Sequence, residues 1–127
     1  MELVQRALAD RDEIAFAAVF GSCARGAERA TSDLDLAIQP AGPFSLRDED
    51  AVVAAVERAT GRSVDLVRLD RTDDVVLRNE IARGVAVRDA PRGAFAYFAA
   101  EAALAWLDLE PTYRAAQRAY LRRASGT

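Results

Sequence analysis

Histidine and lysine are both missing from this 127-residue chain, and cysteine, methionine and tryptophan occur once each. All 17 positive charges are therefore arginine, set against 20 acidic residues for a formal net charge of −3. Without histidine there is no Ser-His or Cys-His nucleophile pair and no imidazole ligand for zinc. Without lysine there is no Schiff base and no Walker-type phosphate loop. Any catalysis is left to carboxylates, hydroxyls, arginine, backbone N–H groups or a metal held by oxygen. A lone Cys23 can form neither an internal disulfide nor a thiolate metal site, which fits a reducing compartment, and the cytoplasm is the expected location. The longest apolar run near the start, Ile14 to Phe20, is too short to cross a bilayer, and no signal-peptide pattern precedes it, so neither membrane anchoring nor secretion is expected. A mildly acidic chain without lysine also argues against holding long nucleic acid by neutralising many phosphates, while small nucleotides carried with Mg²⁺ stay open.

What is present is 51% hydrophobic and 29% charged, with no repeat, linker or low-complexity run, as expected of one globular domain over residues 1–127. Helical spacing of Leu3, Val4, Ala7 and Leu8 leads into the near-continuous apolar run Ile14 to Phe20, which reads as a buried strand. Leu34, Leu36 and Ile38 alternate with Asp33, Asp35 and Ala37 in a second strand closed by Pro40 to Pro43. Ser45 and Asp48 have capping-box spacing before a helix carrying Val52, Val53, Val56 and Ala59 and ending before Gly61. Ser63 to Leu69 is a third strand. Thr72 or Asp73 is the expected cap of the next helix, with Val76, Leu77 and Ile81 pointing inward until Gly84, and Val85 to Val87 form a fourth strand. Beyond Pro91 the chain is helical, with a stripe of Phe95, Phe98, Ala102, Ala105, Trp106 and Leu109, and Pro111 is expected to kink or restart it. The pattern is α/β (α+β): a small mixed sheet of about four strands covered by helices, with a core over about 1–90 and a C-terminal helical segment over about 91–124.

Chemistry concentrates in one stretch. The first strand ends in Gly21-Ser22, ten residues intervene, and the second strand opens with Asp33-Leu34-Asp35. Residues two apart share a strand face, so the carboxylates of Asp33 and Asp35 stand together and repel unless a divalent cation bridges them; hard oxygen donors are what Mg²⁺ selects. Gly21 lets a phosphate approach the backbone, Ser22 offers an N–H and a hydroxyl, and a helix beginning near Ala24 would add its positive end together with Arg25 and Arg29. Asp65, between Val64 and Leu66 on the third strand, can complete a carboxylate triad able to hold two metals for in-line phosphoryl-group displacement. Cys23 reads as a passive small residue, because there is no histidine to activate it.

Gly-Ser, ten residues, Asp-x-Asp and a later strand aspartate resemble the nucleotidyltransferase superfamily built on the DNA polymerase β palm. Gly-Ser-x-Ala-Arg-Gly with Ser-Asp-Leu-Asp-Leu is similar to its minimal, MNT-type branch, over nearly the whole chain, as is the Leu107-Asp108-x-x-Pro111 turn. The resemblance implies a palm-like fold, Gly21 and Ser22 on the triphosphate of ATP, and Asp33 and Asp35 on two Mg²⁺ ions; Arg25 beside them is the added positive charge read from the helix spacing. It also implies that Asp65 binds the catalytic metal and helps deprotonate the acceptor. Members of that branch commonly act as antitoxins beside a HEPN-domain toxin, and the better-understood ones transfer AMP to a tyrosine of that ribonuclease. The alternatives are transfer to a small-molecule hydroxyl such as an aminoglycoside's, or neutralisation of the partner by contact alone.

Overall fold

A computed structural model describes residues 1–21 and 33–126. Ser22, Cys23, Arg25, Arg29 and the helix expected from Ala24 lie outside the described residues. In chain order the elements are α1 (Glu2–Leu8), β1 (Ile14–Phe20), β2 (Leu34–Pro40), α2 (Leu46–Thr60), β3 (Val64–Arg68), a 3₁₀ turn (Leu69–Arg71), α3 (Val75–Ala82), β4 (Val85–Asp89) and α4 (Ala94–Ala124). The strands form one mixed sheet in the order β3-β2-β1-β4, with β1 antiparallel to both β2 and β4 and β2 parallel to β3. No helix among the described residues is long and apolar enough to cross a membrane.

Side chains alternate across the sheet, and each face is buried by its own pair of helices. On one face Ala17, Val19, Leu34, Leu36 and Ile38 pack with Val4 and Leu8 of α1 and Val52 and Val56 of α2. On the other, Phe16, Ala18, Phe20 and Ala37 pack with Leu69, with Ile81 of α3 and with Phe95, Phe98 and Ala102 of α4. Both central strands are covered on each side, which is why β1 reads as a continuous apolar run instead of an alternating one.

Local chemistry sets the element ends. Ser45 and Asp48 form the expected capping box of α2, the Ser45 hydroxyl accepting from the Asp48 N–H at 3.1 Å and the Asp48 carboxylate accepting from the Ser45 N–H at 2.8 Å. Two expectations are corrected at α3. Its cap is Asp74, which accepts from the Val76 and Leu77 N–H groups at 3.0 and 3.2 Å, because Thr72 is occupied one step earlier, its hydroxyl accepting from the Asp74 N–H at 3.4 Å. Val76 lies on the outer side of the helix, 37% exposed, while Ile81 is fully buried. A third correction concerns Pro111, which lies inside one continuous helix α4 and does not restart it. The carbonyl it deprives of a donor belongs to Leu107, a residue 62% exposed, so water can satisfy it.

Candidate active site

β1 delivers its last residue, Phe20, opposite Asp35 of β2, and Asp35 stands opposite Asp65 of β3. One row across three strands therefore puts two of the sequence-expected acids side by side on the face shared with Phe20 and Ala37. Asp33 lies just before β2, exposed, and Asp65 is exposed at the sheet edge, whereas Asp35 between them is half-buried. Gly21 follows Phe20 with a φ of +71°, and a Cβ built there would lie 2.5 Å from the Asp35 Oδ2. The glycine is required here by the turn and by the Asp35 carboxylate, a second reason beyond the phosphate approach read from the sequence.

α3 adds a group that no motif in the sequence singles out. Ile81 is buried in the same cluster as Phe20, and Gly84 sits against the Val19 carbonyl and the Phe20 Cβ so closely that no side chain fits. This docking brings the end of α3 to the acid row and Glu80 with it. Burial, then the negative charges of Asp65, Glu80 and Asp33, in that order, hold the Asp35 pKa above the ordinary carboxylate value. Nothing in the local sequence around Glu80 signals this, because its place depends on the contact between Gly84 and β1.

The donor set suits a hard divalent cation, since such an ion relieves the repulsion that the neighbouring carboxylates exert on Asp35. Asp35 and Asp65 are the pair the sheet register brings together for this. Among the described residues no group of three or more acids stands close enough to form a finished metal-ligand set. Two described cavities, one of about 370 Å³ reached by Val19, Leu34 and Arg62 and one of about 240 Å³ between Thr72 and Ala105, are not lined by the acids. The chemistry of the acid row is the stronger guide to function, because a carboxylate perturbed by burial and by neighbouring acids marks it.

The polymerase beta nucleotidyltransferase family profile matches residues 2–91. No curated protein matches the chain. Among solved structures, a toxin–antitoxin crystal structure with AMP-PNP aligns over 94% of this chain and 97% of its own at 20% identity, with a TM-score of 0.72. The tri-AMPylated HEPN toxin of Shewanella oneidensis in complex with MNT antitoxin aligns over 94% and 98% at 18% identity, TM-score 0.68. A minimal nucleotidyltransferase aligns over 66% of this chain and 84% of its own at 33% identity, TM-score 0.56. The structural likenesses at 20% and 18% identity carry the fold. The profile match spans every strand of the sheet and the Gly21, Asp33, Asp35 and Asp65 positions, and the chain belongs to the polymerase beta nucleotidyltransferase family.

Proposed function

We propose that this protein transfers AMP from ATP to a tyrosine hydroxyl of a HEPN-domain toxin and thereby acts as its antitoxin. The observation that carries the reading is the row Phe20, Asp35, Asp65, with Gly21 closing the turn over Asp35. The toxin–antitoxin structures that share the fold, one with AMP-PNP and one with an AMPylated toxin, support the choice of nucleotide and of partner.

In this reading Asp33, Asp35 and Asp65 would hold two Mg²⁺ ions, and Gly21, Ser22 and Arg25 would hold the triphosphate. When bound, the ions supply positive charge against the triphosphate and the developing anion. Asp65, exposed at the edge of the row, takes the proton from the acceptor hydroxyl, whose oxygen forms the new bond to the α-phosphorus as the bond to pyrophosphate breaks. Asp35, half-buried and flanked by three other acids, has the most to gain from a cation and fixes where the reaction centre lies. AMP on the toxin adds bulk and negative charge where an RNA phosphate must enter. The test is the intact mass of the toxin co-expressed with this chain. One or more added AMP units that vanish with Asp35→Asn are expected, and a toxin that is silenced without any gain in mass would replace transfer by neutralisation through contact.

A further inference from the structure

The apolar stripe that anchors α4 continues after the rest of the protein has ended. Phe95, Phe98 and Ala102 bury one face of the helix against Phe16, Leu69 and Ile81. Carried on at helical period, the same face presents Trp106, Leu109, Tyr113 and Tyr120. The edge-on contact of the Trp106 and Tyr113 rings, 5.6 Å between centroids, shows that these positions share a side. No described residue of α4 beyond Ala102 is buried, and Tyr113 and Tyr120 are 42% and 64% exposed. Residues 103–124 thus form an arm about 33 Å long at roughly 1.5 Å per residue. Helices in proteins draw most of their stability from packing an amphipathic face, which this stretch leaves uncovered, and Pro111 removes one of its hydrogen bonds. The arm needs a surface to lie on.

Its position and charge narrow what that surface is. α4 crosses the sheet from Phe98, whose ring lies 5.0 Å under the Arg78 guanidinium, to Ala102 and Ala105 beside Thr72 and Val75. That is the end of the sheet where β3 finishes, remote from Asp35 and Asp65. A protein gripped there leaves the acid row open. Beyond Glu110 the arm has no acid but carries Arg114, Arg118, Arg122 and Arg123, in a chain whose net charge is −3. The family match stops at residue 91, before α4 begins, so the arm is no part of the shared transfer domain. The toxin–antitoxin structures nevertheless align over 94% of this chain, a share that must include most of the 31-residue α4.

We propose that residues 103–124 are the docking helix for the toxin: the Trp106, Tyr113 and Tyr120 face enters an apolar groove of that protein, and the arginines meet acidic residues on the groove's rim. This rests on the partner named under the proposed function. The 127-residue chain would be co-expressed with its cognate HEPN-domain toxin and captured by a tag. The double variant Tyr113→Glu with Tyr120→Glu should weaken capture at least tenfold while leaving Tm and Mg-ATP binding unchanged, because both side chains are exposed. Asp35→Asn should be captured as well as the wild type while leaving the toxin unmodified. Capture of an unmodified toxin by the wild type would remove the transfer reading and leave the docking helix standing. Undiminished capture by the double variant, no capture by the wild type, or a dimer of this chain alone that the double variant makes monomeric in light scattering would each overturn the inference.

Discussion

At Gly21 the missing side chain does two things at once. Its φ of +71° is a conformation that costs other residues about 1–2 kcal/mol, and its empty Cβ position is filled by the Asp35 carboxylate. Gly21→Ala should therefore lower the melting temperature and, by pushing Asp35 aside, weaken Mg-ATP binding; thermal melts with and without Mg-ATP separate the two effects, and an unchanged ligand-induced shift would argue against the contact. Asp35 itself has a pKa raised above 3.8, chiefly by burial. An acid with a raised folded pKa binds its proton more tightly in the folded chain, so its ionisation subtracts stability, a loss that sets in as pH rises through the ordinary carboxylate value and the raised one. Asp35→Asn removes that loss. The metal-free variant should melt higher than the wild type at pH 7 and the same at pH 3, while transfer falls at least about a hundredfold, the equivalent of a few kcal/mol of transition-state stabilisation.

Among the elements, α3 is the one that ties stability to the site. It is short, and its first turn depends on Asp74, whose carboxylate accepts two N–H groups. Asp74→Ala should cost about 1 kcal/mol, read by chemical denaturation, and should loosen the helix that carries Ile81 and Glu80 to the acid row. At the start of α4, Asp89 does comparable work from outside the helix, accepting from the Gly93 and Phe95 N–H groups at 3.0 Å each. Arg88, one residue earlier, donates to the carbonyls of Leu8, Ala9 and Ile14 and so closes the C-terminal end of α1 against β4.

Across the whole molecule the two ends of the sheet are built for different tasks. The end away from the acids is locked by Arg68, 9% exposed, which forks onto Asp70 at 3.1 and 2.7 Å and also donates to the Phe44 carbonyl at 2.8 Å and to Glu49 at 3.3 Å. These bonds join β3, the loop before α2 and α2 itself. The hydrogen bond from Arg68, ahead of the arginine's charge, holds the Asp70 pKa below its ordinary value. A carboxylate with a depressed folded pKa adds stability that is present above the ordinary value and is lost as pH falls through the depressed one. Asp70→Asn should accordingly destabilise the protein at pH 7 and leave it like the wild type near pH 2, in pH-dependent melts. At the acid end like charges stand together around Asp35.

Much of this was legible in residue order alone. Period-2 alternation at Leu34, Leu36 and Ile38, the apolar run of β1 and the Ser45–Asp48 cap are local patterns, and local sterics and hydrogen bonding determine them wherever the chain lies. The spacing from Gly21 to Asp33 and Asp35 pointed to the same end of the sheet by the same logic. What residue order could not decide were the relations that close over long loops. The parallel pairing of β2 with β3 sets Asp65 beside Asp35, the fit of Gly84 against β1 brings Glu80 to the acids, and the width of the sheet runs out under α4 at Ala102. The stripe from Phe95 to Tyr120 is one continuous pattern in the sequence, whereas its division into a buried anchor and an exposed arm follows from how far the sheet beneath it extends, which is a property of the packed molecule.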